Sequence, residues 1–171
     1  DTETVTVTIT GTNDSPDVFV DTGDSAAESL TETDTTLTTT GTLSVGDLDL
    51  TDVVTSDVTG VVASGTTTGL ASANAALQAM LSSTGSVVNA SETSNTLTWN
   101  FNSGGEAFDY LANGESLTLT YTIEVTDSQG ATDTQNVTIT VNGTNDAPVI
   151  TGGPDTSSLT ETDSGLTDSG T

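Results

Sequence analysis

The opening of the chain returns near its end. Thr4-Val5-Thr6-Val7-Thr8-Ile9-Thr10-Gly11-Thr12-Asn13-Asp14-Ser15-Pro16 recurs as Asn136-Val137-Thr138-Ile139-Thr140-Val141-Asn142-Gly143-Thr144-Asn145-Asp146-Ala147-Pro148, 132 positions on. A second pair, Leu30-Thr31-Glu32-Thr33-Asp34 and Leu159-Thr160-Glu161-Thr162-Asp163, lies 129 positions apart, so the same order of motifs recurs with a slip of three residues. Self-similarity at a fixed period is the mark of a tandem array, in which each unit contacts mainly its neighbours. The expected division is the last strand of one unit at 1–12, a complete unit at 13–143, and a linker with the start of the next unit at 144–171.

Alternation in the complete unit points to an all-β fold. Leu117, Leu119, Tyr121, Ile123 and Val125 alternate with Thr118, Thr120, Thr122, Glu124 and Thr126, which gives a strand with one buried face. After the turn Asp127-Ser128-Gln129-Gly130, the alternation of Val137, Ile139 and Val141 supplies the second arm of a hairpin. Further strands are expected near 28–33, 36–45, 53–63, 85–89 and 95–102. About seven short strands in such a span read as an antiparallel β-sandwich of the Ig or cadherin-like kind. Between Gly69 and Gly85, the spacing of Ala73, Leu77 and Leu81 predicts one short helix over 70–81. Trp99, Phe101, Phe108 and Tyr110 are expected in the core.

Charge then narrows function. The chain has no Lys, Arg or His against 25 Asp and Glu, a formal charge of -25, and no Cys. Nothing is present to neutralise phosphates, so nucleic acid is excluded as a partner, and an anionic membrane surface would repel the chain. Thiolate, imidazole and Schiff-base chemistry are all absent, as are disulfides and zinc thiolate sites. No stretch reaches the apolar length of a spanning helix, so no membrane insertion is expected. The hydrophobic content of 32% would permit disorder, but its strict alternation argues for a folded sandwich.

Strand parity maps the acids. With the end entered from Asn13 and Asp14 taken as the upper pole and seven antiparallel strands in a meander-like order, Asp47, Asp49 and Asp127 gather there. Glu32 and Asp109 gather at the lower pole beside Asn145 and Asp146, and Glu161 repeats the part of Glu32 for the next junction. Converging carboxylates repel one another and lose hydration unless an opposite charge joins them. This chain has no such side chain, and its only hard donors are oxygens, which select Ca²⁺ with its flexible shell of six to eight ligands. Isolated acids such as Asp57 and Asp168 are read as ordinary solvated residues. The triplets at Asn89, Asn136 and Asn142 fit the glycosylation pattern, but Thr and Ser are so common here that chance explains them.

The Gly-Thr-Asn-Asp-Xaa-Pro linkers, the Asp47-Leu48-Asp49 pair, Leu-Thr-Glu-Thr-Asp, and Tyr121-Thr122-Ile123-Glu124-Val125-Thr126-Asp127 ahead of Gly130 together resemble the VCBS-type and bacterial cadherin-like repeats of large, type I secreted RTX adhesins. The linker is similar to the cadherin junction, though shorter. That resemblance implies calcium shared between domains, with Asn13, Asp14, Asp47, Asp49 and Asp127 at one junction and Glu32, Asn145 and Asp146 at the other. It also implies an extracellular, non-catalytic extender on a bacterial surface, with a part in adhesion or biofilm, whose partners are the neighbouring repeats and which is otherwise monomeric. The alternative reading is a calcium-dependent glycan-binding module of the same adhesin, with sugar hydroxyls filling open positions on a bound ion.

Overall fold

A computed structural model of the chain describes residues 1–148, 159–160 and 163–167. Among them are nine strands and one helix: β1 Asp17–Phe19, β2 Ala27–Thr31, β3 Thr38–Gly46, β4 Val54–Gly65, α1 Asn74–Gln78, β5 Leu81–Ser83, β6 Ser86–Val88, β7 Ser94–Asn102, β8 Ser116–Thr126 and β9 Thr132–Asn142. They form two facing sheets, in the orders β1-β3-β7-β5 and β2-β9-β8-β4-β6. The chain is an all-β sandwich of the expected class.

Alternation drives this arrangement. Every second residue of β8, from Leu117 to Val125, is buried, and β9 answers with Val137, Ile139 and Val141. Their register is unbroken from Ser116↔Asn142 to Thr126↔Thr132, which puts all of these apolar residues on one face. From the other sheet, Leu43 and Val45 of β3 and Leu97, Trp99 and Phe101 of β7 close the core. Phe101 meets Tyr121 edge-on at 6.3 Å between ring centres. The indole of Trp99 lies over Gly41, its cross-strand partner, where a Cβ would collide with the ring. Phe108 is buried as expected, whereas Tyr110 packs against the core at its margin.

Several details depart from the sequence reading. The strand order is a crossed one rather than a meander, because β3 pairs with β7 and not with β4. The strand expected near 28–33 is β2, which runs parallel to β9, so not every pair is antiparallel, and a further short strand, β1, which the sequence reading did not include, pairs antiparallel with β3 in the other sheet. The helix is only Asn74–Gln78, since Leu81 already pairs with Phe101 in β5. Residues 1–12 join no ladder: Val5, Val7 and Ile9 are 84%, 78% and 90% exposed. Their alternation supplies one apolar face and meets no sheet among the described residues. Glu161 and Asp168 lie outside the described residues.

Candidate metal centres at the two poles

The upper pole is built from the loop after β3, the turn between β8 and β9, and the linker. Where β3 ends, the chain turns through Asp47-Leu48-Asp49-Leu50-Thr51-Asp52 before β4. Asp47 Oδ1 accepts the Asp49 N–H at 2.9 Å, a local side-chain turn. Asp52 is 2% exposed and Asp47 3%. Carboxylate oxygens of Asp47, Asp49 and Asp52 all lie within 4.8 Å of one another.

The linker closes over this loop. Asp14 donates its backbone N–H to Asp49 Oδ2 at 2.7 Å, and the Asn13 amide donates to Asp127 Oδ2 at 2.8 Å. Asp127 Oδ1 in turn accepts the N–H groups of Gln129 and Ala131. The bond from Asn13, backed by these N–H groups, holds the Asp127 carboxyl below the usual carboxylate range against the upward push of burial. Asp52 goes the other way: burial, then the charges of Asp127, Asp47 and Asp49, raise it. A polar recess of about 250 Å³ lies between Thr12, Asn13, Asp49, Asp52 and Gln129.

The lower pole is made by the loop after β2, the loop between β7 and β8, and the linker after β9. Glu32 follows β2 directly, its N–H bonded to the Asn142 carbonyl at 2.9 Å, and its side chain is 1% exposed. Glu32 Oε1 accepts both the backbone N–H of Thr144, at 2.7 Å, and the Thr144 hydroxyl. Phe108, in the left-handed region at φ 65°, turns its own ring into the core and leaves the next residue, Asp109, at the surface. Oxygens of Glu32, Asp34 and Asp109 again lie within 4.8 Å of one another. Partial loss of hydration among its neighbours raises the Asp109 carboxyl even at the surface, and the charges of Asp34, Glu32 and Asp146 add to it. Asn145 turns its amide to the Asp146 carbonyl instead of the cluster.

Of the residues picked out from sequence, Asn13, Asp14, Asp47, Asp49 and Asp127 therefore sit together at one end, and Glu32, Asp109 and Asp146 at the other. Asp52 and Asp34 were not picked out. Asp34 had a signal, because it closes the repeated Leu-Thr-Glu-Thr-Asp motif. Asp52 had only its place in the same loop as Asp47 and Asp49.

Three buried oxygens among the described residues have no hydrogen-bond partner: Asp47 Oδ2, Asp52 Oδ2 and Glu32 Oε2. Each belongs to one of the two clusters. Burying an unpaired carboxylate oxygen is costly, and side-chain cations are missing from the whole sequence. Ligands on opposite sides of one Ca²⁺ stand about 5 Å apart, twice the usual Ca–O length. The spacing within each cluster fits that shell, and the donor set, all oxygen, fits the ion.

No family model matches the chain, and no curated protein matches it. Among solved structures it is similar to the CooA pilin subunit of enterotoxigenic Escherichia coli, at 15% identity and a TM-score of 0.43, over 78% of this chain and 100% of that one. It is also similar to the ASH/PapD-like domain 7 of human CEP192, at 9% identity and 0.43, over 85% and 96%. A third is AggA, the major subunit of aggregative adherence fimbriae type I of Escherichia coli, at 12% identity and 0.36, over 79% and 99%.

Proposed function

We propose that this chain is a calcium-rigidified spacer repeat of a bacterial cell-surface adhesin, non-catalytic, holding a distal adhesive region away from the cell. The observation that carries the calcium part is the set of unpartnered, buried carboxylate oxygens, one on Glu32 and one each on Asp47 and Asp52, in a chain with no Lys, Arg or His. A divalent cation at each pole neutralises what the protein itself leaves repelling. Asp47, Asp49, Asp52 and Asp127 would hold the upper ion with Asn13 and Asp14 of the linker, and Glu32, Asp34 and Asp109 the lower one with Asp146.

The spacer part is supported by the repeated linker and by where the acids fall. Both clusters sit against the Gly-Thr-Asn-Asp segments, where consecutive units would join, and neither sits on a sheet face. Neutralising the junction converts a self-repelling string into a stiff rod. The adhesin setting, secretion by a type I route and an extracellular location follow from the motif resemblance alone.

Small-angle scattering and calcium titration of two consecutive units test this reading. Calcium at saturation should bind at both poles and lengthen and narrow the particle. Absence of binding in millimolar calcium, with unchanged scattering, would overturn it.

A further inference from the structure

The two copies of the linker motif are held in different ways within one chain. In the downstream copy, Gly143 donates its N–H to the Glu115 carbonyl at 3.0 Å, and Thr144 donates twice to Glu32. Gly143 passes so close to the loop between β7 and β8 that a Cβ there would overlap the carbonyl oxygens of Leu111 and Ala112. In the upstream copy, Gly11 has open space around it, and the last two residues of the motif carry the bonds: Asn13 to Asp127, and the Asp14 N–H to Asp49. Gly11-Thr12-Asn13-Asp14 and Gly143-Thr144-Asn145-Asp146 are the same motif. Its Gly-Thr half is fastened to the unit before it, and its Asn-Asp half to the unit after it.

We infer that each junction of the array is a direct clamp against the adjacent copy of this repeat, with the linker divided at the Thr–Asn bond and no free residue left between the units. This inference rests on the tandem-spacer reading, but not on calcium: every bond in it is between protein atoms. Consecutive Cα atoms are 3.8 Å apart, so the Glu32 of one unit and the Asp127 of the next grip neighbouring residues. The lower pole of one unit is thereby set against the upper loop of the next. That loop carries Leu48 and Leu50, which are 76% and 57% exposed beside Asp49, the residue that accepts the linker N–H. These two side chains are the contact surface for the preceding unit.

The whole core lies between Val18 and Val141, so each unit carries what it needs to fold. A chain of residues 13–144 followed directly by 13–148 contains one natural junction. Its linker dynamics are read by ¹⁵N relaxation in chelator with 0.5 M sodium chloride, where screening weakens repulsion between the poles, and again in calcium. The linker amides should show order parameters near about 0.85, like the strands, in both conditions. Gly143→Ala should drop them toward about 0.6 or below. Thr144→Val, which removes only the hydroxyl bonded to Glu32 and keeps the bond from the Thr144 N–H, should lower them by less. The Leu48 and Leu50 methyl shifts of the second copy should differ from those of the first, which has no unit before it.

A linker that is mobile in chelator while both units remain folded, variants that change nothing, or identical methyl shifts in the two copies would overturn the clamp. The calcium reading fails separately. A rigid linker with no calcium uptake leaves the clamp standing without the ion, and a linker mobile in chelator but rigid in calcium leaves the ion without the clamp.

Discussion

Between the two sheets, the largest buried side chains have all their polar atoms partnered: the Trp99 indole N–H donates to the Ser25 carbonyl at 2.9 Å and the Tyr121 hydroxyl to the Leu77 carbonyl at 3.0 Å. At the poles, Asp47, Asp52 and Glu32 are buried almost as deeply, and each keeps one oxygen with no partner. The waist is complete in itself. The ends are not, and it is there that the proposed ion and the proposed neighbour would act. The poles also differ from each other. Above, Asp47, Asp52 and Asp127 are all buried and tied by local turns, whereas below only Glu32 is buried and Asp34 and Asp109 lie open to solvent. The upper site is the more preorganised of the two.

Withdrawing calcium should separate waist from ends most sharply. At free calcium about a hundred times the dissociation constant, one saturated site adds roughly 2.7 kcal/mol, so two poles add about 5 kcal/mol. The melting temperature in chelator should fall by 10 °C or more on the usual scaling for a domain of this size, roughly 3 °C per kcal/mol. Sodium chloride should restore only part of it, since screening does not fill the bare oxygens. Equal melting curves in chelator and in millimolar calcium would put the ends on the same footing as the waist.

Trp99→Ala attacks the other side of the comparison. Truncating a fully buried aromatic costs about 3–5 kcal/mol, and here it also strands the Ser25 carbonyl and opens the space above Gly41. The loss should be the same with and without calcium, as read by chemical denaturation in both. A loss that depends on calcium would mean that waist and poles are coupled through the sheets.

How much of this was legible in the sequence follows the same division. The long hairpin of β8 and β9 announced itself because eleven residues each give room for alternation. β1 and β5, with three residues each, do not have that room. The spacing of Leu77 and Leu81 imitated one helix face, but the Met80 carbonyl already accepts the Asn102 N–H, and the sheet takes the chain over before a second turn forms. Parity assigned the acids to the correct ends despite the wrong strand order, because the number of reversals decides the end and the choice of neighbours does not. Asp52 escaped because its burial depends on how the loop folds back, with its N–H on the Asp49 carbonyl, and no short motif encodes that.

Single acids should sharpen the contrast between poles. Asp52→Ala should remove about half of the stabilisation that calcium gives, one site of two. In chelator it should raise the melting temperature, because it takes away a buried carboxylate that three neighbours repel. Glu32→Ala should act on the lower site alone. The double variant with Asp52→Ala should therefore be additive in calcium titrations, while Asp52→Ala with Asp47→Ala should not be. If Glu32 and Asp127 prove to ligate one and the same ion within a single unit, the two-pole arrangement is wrong.

The smallest effect belongs to an acid that takes part in neither cluster. Asp24 ties the crossover from β1 to β2 onto β3, accepting the Thr42 hydroxyl at 2.6 Å, the Ser44 hydroxyl at 2.8 Å and the Asp21 N–H at 3.1 Å. Burial pushes its carboxyl up, but these hydrogen bonds outweigh it and the net shift is downward. A carboxyl depressed on folding adds stability above its unfolded value of about 3.9, and that stability is lost as pH falls through the folded value. Asp24→Asn should therefore cost about 1 kcal/mol or less at pH 7, discounted for its partial exposure. The cost should be equal in calcium and in chelator, and thermal melts of the two proteins should converge as pH drops below about 3.9. A gap that stays constant down to pH 3, or one that widens only when calcium is present, would show that Asp24 acts through shape or through the upper ion and that the boundary between waist and pole has been drawn one turn too high.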